Sequence, residues 1–80
     1  MARIVDGVEK NITGKRIKEA RKKARLAQQE LSKKLELEAV YVCRDSVSRI
    51  ESGLRSVTDI EIDAISRILN VSFDYLFGRE

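Results

Sequence analysis

The stretch VTDIEIDAISRILN, residues 57–70, restricts the fold more than any other part of the chain. Thr58-Asp59-Ile60-Glu61 has the form of a capping box: the Thr58 hydroxyl accepts from the third amide, and Glu61 reaches back to the first. Val57 before the cap and Ile62 in the first turn can close a hydrophobic staple over it. Ile62, Ile65 and Leu69 then recur at three and four, joined by Ile68, so one face of a helix is apolar. Asn70-Val71-Ser72 breaks the pattern. A strand would need alternation, and this segment has none.

The same period recurs along the chain. The spacing predicts helix one over about residues 13–25, capped by Thr13 or Asn11, with Ile17, Ala20 and Ala24 as a narrow apolar stripe. Helix two, about 28–37, puts Leu31 and Leu35 on one face and Gln28 and Gln29 at its exposed start. Helix three, about 44–52, buries Val47 and Ile50 and stops at Gly53, a left-handed cap. Ser72 caps a last short helix through Phe73, Tyr75, Leu76 and Phe77. Residues 1–11, with Asp6-Gly7 as a turn signal, are read as an N-terminal arm and 12–80 as one domain. The fold class is all-α: a compact bundle of five helices with short connections.

Eighty residues allow a single core near the lower limit of independent stability. No apolar run approaches the roughly 18 residues of a membrane span, and MARIVDGVEKN lacks the apolar stretch of a signal peptide. Those features place the chain in the cytoplasm with no membrane partner. With one cysteine and no histidine, an internal disulfide is ruled out and a zinc site is not expected; no cofactor is implied. A serine or cysteine nucleophile would also lack its usual base, and there is no phosphate-cradling glycine loop. The chain does not read as an enzyme.

Charge is distributed unevenly. Residues 14–34 hold nine Lys or Arg against Glu19 and Glu30, a balance of +7, whereas residues 35–80 hold five Arg against nine carboxylates, a balance of −4. A basic half on a small domain is the electrostatic footprint of a nucleic-acid binder, and also a pattern that a solvated helix face can show. Helix three adds a more specific feature. Arg44, Asp45, Ser46, Ser48 and Arg49 surround a Val47/Ile50 edge, and a helix entering the major groove needs such an apolar anchor with arginines or short polar side chains near its amino end.

GKRIKEARKKARLAQQELSKKL, followed by SVSRIESGLRSV and ILNVSFDYLFG, resembles the Cro/repressor-type helix-turn-helix family, also called the xenobiotic-response-element family. The likeness covers about residues 12–78. It implies a five-helix, phage-repressor-type bundle in which helices two and three bind double-stranded DNA. Gln28 matches the glutamine that contacts the DNA backbone and braces the recognition helix, with Gln29 beside it. Arg44, Asp45, Ser46, Ser48 and Arg49 match base- and phosphate-facing positions, Asp45 also being suited to the positive helix end. Arg55 matches a basic loop position that touches phosphate. Arg21 and Glu51 match a structural salt bridge whose loss from a buried site costs roughly 3–5 kcal/mol.

The chain departs from the family pattern at several positions. Ala27 stands where Thr or Ser is usual, removing a cap worth about 1 kcal/mol. Leu54 and Val57 replace a basic residue and a proline. Cys43 is read as a small buried or capping residue in preference to a redox sensor. The family's tight turn leaves about seven positions from the last leucine of helix two to the first buried residue of helix three; Leu35 to Val47 spans twelve, an insertion of five, as in a bacterial subset of the family. Leu37, Val40 and Val42 are expected to pack back on the core, with Tyr41 partly exposed; Tyr41 reaching toward DNA or a second subunit is the alternative. Aromatic surface at Phe73, Tyr75 and Phe77, with Val71 and Leu76, exceeds what a short helix can bury, and implies a homodimer through the C-terminal segment. The functional expectation is a DNA-binding transcriptional regulator. The rival is an antitoxin or immunity-type interaction module on the same bundle.

Overall fold

The computed structural model describes residues 9–80. Its elements are α1 (Gly14–Lys23), α2 (Gln28–Leu37), α3 (Arg44–Glu51), α4 (Asp59–Leu69) and α5 (Phe73–Leu76), with no strand among the described residues. The chain is thus an all-α five-helix bundle, as the pattern of caps and periods requires. Residues 1–8 of the expected arm lie outside the described residues. Its last residues run against the domain, where the Lys10 amide donates to Gly53 O at 2.7 Å.

α1 begins where Asn11 ends its free donors. Asn11 Oδ1 accepts from the amides of Thr13 (3.1 Å) and Gly14 (2.7 Å), so of the two candidate caps it is Asn11 that acts. The Thr13 hydroxyl is buried and has no partner among the described residues. Asn11 Nδ2 also donates to Ile50 O (3.0 Å) and Arg55 O (2.7 Å), tying the start of α1 to both ends of the α3 exit. Gly14 is needed for the close approach: a Cβ there would sit 2.1 Å from Ile50 O.

The stripe expected at Ile17, Ala20 and Ala24 is corrected at its end. Ile17, Ala20 and Arg21 are buried, but α1 stops at Lys23, so Ala24 falls in the turn and is exposed. Arg25 closes that turn in the left-handed region (φ 60°), allowing the Leu26 amide to return to Arg21 O at 3.1 Å.

α2 buries Leu31 and Leu35 completely. Its cap residue, Ala27, has no hydroxyl to offer. Half of a capping box survives, because Glu30 Oε1 accepts from the Ala27 amide at 2.7 Å. Leu37 does not pack back on the core as expected; it is 86% exposed. Two residues beyond Leu35 on a helix is about 200° of rotation, so Leu37 faces solvent by geometry.

The connection 38–43 is ordered by its own backbone. Ala39 takes φ 61°, and the Val40 amide returns to Leu35 O at 3.0 Å, a Schellman-type closure. Val42 is then buried to 3% exposure, Val40 is half-buried and Tyr41 is 76% exposed. Ser32 Oγ, from the second turn of α2, donates to Val42 O at 2.7 Å.

α3 buries Val47 and Ile50 and ends at Gly53 (φ 80°), with the Leu54 amide on Arg49 O at 2.9 Å. α4 starts at the capping box: the Glu61 amide donates to Thr58 Oγ1 (3.2 Å) and the Thr58 amide to Glu61 Oε1 (2.9 Å). Ile62, Ala64, Ile65 and Leu69 join the core, and Asn70 (φ 56°) ends the helix. Ser72 caps α5 by accepting from the Tyr75 amide at 3.0 Å, and Leu76 closes the bottom of the core. No helix among the described residues is long and apolar enough to cross a membrane.

Candidate nucleic-acid interface

α2 and α3 form a single packed unit, with Leu31 and Leu35 of one against Val47 and Ile50 of the other in one core. The period of α3 sorts its residues, except that Arg44 is exposed by standing first in the helix. Val47, Ile50 and Glu51 face inward, Ser46 and Ser48 are half-buried at the flanks, and Arg44, Asp45 and Arg49 are exposed. Among the described residues, none of those three exposed side chains makes an ion pair or side-chain hydrogen bond within the chain. The outer face of α3 therefore carries two guanidinium groups and one carboxylate available to a partner.

What holds that face in place is a cluster at the other side of α3. Arg21 Nε donates to Glu51 Oε2 at 2.6 Å and Arg21 Nη2 to Glu51 Oε1 at 3.0 Å, a bidentate pair with side chains 9% and 3% exposed. Arg21 Nη1 donates to Leu26 O at 2.8 Å, and Gln28 Nε2 donates to Glu51 Oε1 at 3.1 Å. One carboxylate thus fastens α3 to α1 and to the first turn of α2. Hydrogen bonding to Glu51 raises the Arg21 pKa beyond its ordinary value. Gln28 is turned toward Glu51, which is the bracing half of the role its position implies; Gln29 points out into solvent.

Arg55 stands differently from the exposed arginines. Its Nη1 and Nη2 donate to Glu61 Oε1 and Oε2, each at 2.9 Å, and Nη1 also reaches Ser56 O. Arg55 hydrogen bonding pulls the Glu61 carboxyl below the usual glutamate range, with the Thr58 amide assisting. Sequence reading recognised Glu61 as the capping-box partner of Thr58 and missed this second role. Arg55 six residues before Glu61 is no helical spacing, so only the loop's path could bring them together.

Cys43 is the N-cap residue of α3, exposed and without a side-chain cap bond. Of the two places expected, buried or capping, it takes the capping one, by position and not by a side-chain cap bond. Its thiol donates to Ser46 Oγ at 3.4 Å; the same hydroxyl, with the Ser46 amide, stabilises the thiolate and lowers the thiol pKa.

Two of the nine cations of residues 14–34 have structural partners. Arg21 holds Glu51, and Arg16 donates to Tyr75 O at 3.0 Å while lying 5.6 Å from the centre of the Tyr75 ring, which pins α5 to α1. The remaining seven are all exposed, against the exposed carboxylates of Glu19 and Glu30, so the surface of residues 14–34 stays strongly positive.

Comparison with curated proteins and with solved structures returned no match. A family model described as helix-turn-helix matches residues 17–76 of the 80, from Ile17 in α1 to Leu76 at the end of α5. The match takes in the whole core and the braced α2–α3 unit, and on that span the chain belongs to the helix-turn-helix family of DNA-binding domains.

Proposed function

We propose that this protein is a sequence-specific, double-stranded-DNA-binding transcriptional regulator that inserts α3 into the major groove as one half of a homodimer. The observation that carries this reading is the division of α3: Val47, Ile50 and Glu51 are fastened inward while Arg44, Asp45 and Arg49 stand outward without partners in the described chain. Arginines on such a face read guanine edges by bidentate hydrogen bonds. Ser46 and Ser48, half-buried at the flanks, add short polar side chains beside them. Gln29 and the exposed lysines of α1 and α2 supply phosphate contacts that position α3 and carry no sequence information. Arg55, steadied by Glu61, adds its remaining donor capacity from the loop after α3.

Self-association is supported by the C-terminal segment. Phe73 and Phe77 remain substantially exposed and line a groove with Val40, Ile60 and Ile62, edged by Glu38, Asp59, Asp63 and Arg67, while Val71 and Tyr75 line a separate one against α1. Two domains joined there would present recognition helices to successive major grooves, about 34 Å apart, on a palindromic site.

The test is equilibrium binding to duplexes selected from a random pool, measured across salt concentration. Neutralising about four to six phosphates per bound unit gives a log–log slope near −4 to −5. Arg44→Ala and Arg49→Ala should each lose about 1–3 kcal/mol of discrimination between the selected site and its variants while the fold is retained. Absence of duplex binding at low salt would overturn the reading and favour a protein-interaction module. A strictly monomeric protein in sedimentation, free and on its best site, would overturn the dimer alone.

A further inference from the structure

The segment between α2 and α3 is held at three points. The Val40 amide is fixed on Leu35 O at 3.0 Å, the Val42 carbonyl accepts from Ser32 Oγ at 2.7 Å, and the Val42 side chain is buried in the core. Burial alternates along it: Val40 half in, Tyr41 out, Val42 in, Cys43 out. Such alternation is that of an extended chain with one face on the core. Tyr41 and Cys43 therefore share the outward side, directly ahead of Arg44 at the start of α3. A large amphipathic ring at 76% exposure, anchored on both sides, is already positioned for a contact outside the domain.

We propose that Tyr41 is a DNA-backbone contact, its phenol hydroxyl donating to a phosphate on the wall of the groove that α3 enters. The inference rests on the DNA-binding reading above. Its geometry follows from chain length. Tyr41 stands three positions before Arg44, so their Cα atoms lie at most about 10–11 Å apart. The major groove is about 12 Å wide, so a point at its centre lies about 6 Å from either wall. With Arg44 on the base edges, the chain leading into α3 passes one wall, and of the two outward residues there, Tyr41 and Cys43, Tyr41 has the longer reach and a hydroxyl to donate. Tyrosine donates to phosphate oxygens without adding charge. It also loses little freedom on binding, having only two side-chain torsions to fix.

A neutral donor leaves a signature that a lysine or arginine would not. The experiment measures the full chain on its selected duplex by fluorescence anisotropy at several salt concentrations, comparing the parent with Tyr41→Phe and Tyr41→Ala. Tyr41→Phe should weaken binding about tenfold or more, as a hydrogen bond from a neutral donor to a charged acceptor carries, on matched and mismatched sites alike. The slope of affinity against salt should stay that of the parent, because no counterion is released at a phenol. The melting temperature should change little, since the side chain is 76% exposed. Parent-like affinity in both variants would overturn the proposal. So would a loss in Tyr41→Ala with none in Tyr41→Phe, which marks an apolar contact, or a loss confined to one sequence, which marks a base contact. A parent that binds no duplex at all removes the DNA reading itself, and is thereby distinguished from a failure at Tyr41.

Discussion

Arg21→Met should be among the most destabilising single changes at a charged position. The Arg21 guanidinium makes two hydrogen bonds to Glu51, at 2.6 and 3.0 Å, and one to Leu26 O at 2.8 Å. Methionine fills much of the same volume and makes none of them. The Glu51 side chain, 3% exposed, would keep only the Gln28 amide as a partner. Breaking a buried pair from one side costs about 3–5 kcal/mol, because the remaining charge is stranded. An 80-residue domain has roughly 4–12 kcal/mol of stability in total, so the loss is a large fraction of it. Removing both charges is a different perturbation. Arg21→Met with Glu51→Leu leaves Gln28 and Leu26 O without partners but strands no charge, and should recover about 2 kcal/mol of the single variant's loss. Urea unfolding followed by circular dichroism measures both, provided the denaturant slopes agree. A single variant within 1 kcal/mol of the parent would refute the argument, as would a double variant no more stable than the single. DNA binding lost in the single variant and regained in the double, below both melting temperatures, would establish that Arg21 acts by holding α3 and not by touching DNA.

Gly14→Ala should destabilise by about 1–3 kcal/mol or more, since its Cβ would meet the Ile50 carbonyl at 2.1 Å and drive α1 away from α3; thermal melting reads it directly. Ala39→Gly should raise stability by about 1 kcal/mol, because Ala39 sits at φ 61° where only glycine is free of the Cβ penalty; a lowered urea midpoint would contradict this. Glu61 titrates below its ordinary value of 4.5 in the folded chain, so its contribution is fully present above that value and fades as pH falls through the folded-state pKa. The stability gap between the parent and Glu61→Gln should accordingly be widest near neutrality and close in acid, and a gap independent of pH would refute the Arg55–Glu61 assignment.

Much of this protein is decided within single helical turns. The Thr58–Glu61 box, the Ser72 cap, the glycine stop after α3 and the three-and-four spacing of Ile17, Leu31, Leu35, Val47, Ile50, Ile62, Ile65 and Leu69 are local features, and every one of those apolar side chains is buried. Local rules also explain two misplacements. Ala24 was expected inside as the next step of the α1 stripe and Leu37 as part of the segment packing back on the core, but one lies past the end of its helix and the other about 200° around from Leu35. The outward set on α3 was legible in part for the same reason: burying Val47 and Ile50 turns Asp45 and Arg49 outward, whereas Arg44, three positions before Val47, is exposed because it opens the helix.

Partnerships across the chain were not legible from spacing. Asn11 bonds Ile50 and Arg55, residues 39 and 44 positions away, and Arg16 bonds Tyr75, 59 positions away. No period links such residues, and an asparagine before a helix reads equally well as a plain cap. Resemblance to a family named Arg21 with Glu51, but the third and fourth bonds of that cluster, to Leu26 O and from Gln28, depend on how the α1–α2 turn and the start of α2 come together. The sequence by itself therefore determined, the end of α1 aside, where the helices start and stop and which face of each is apolar, because hydrogen bonding within one turn and burial of a stripe are local matters. The tertiary structure alone decided which charges became internal struts and which stayed free on the outer face of α3, because a side chain's partner is set by the packing of helices distant in the chain.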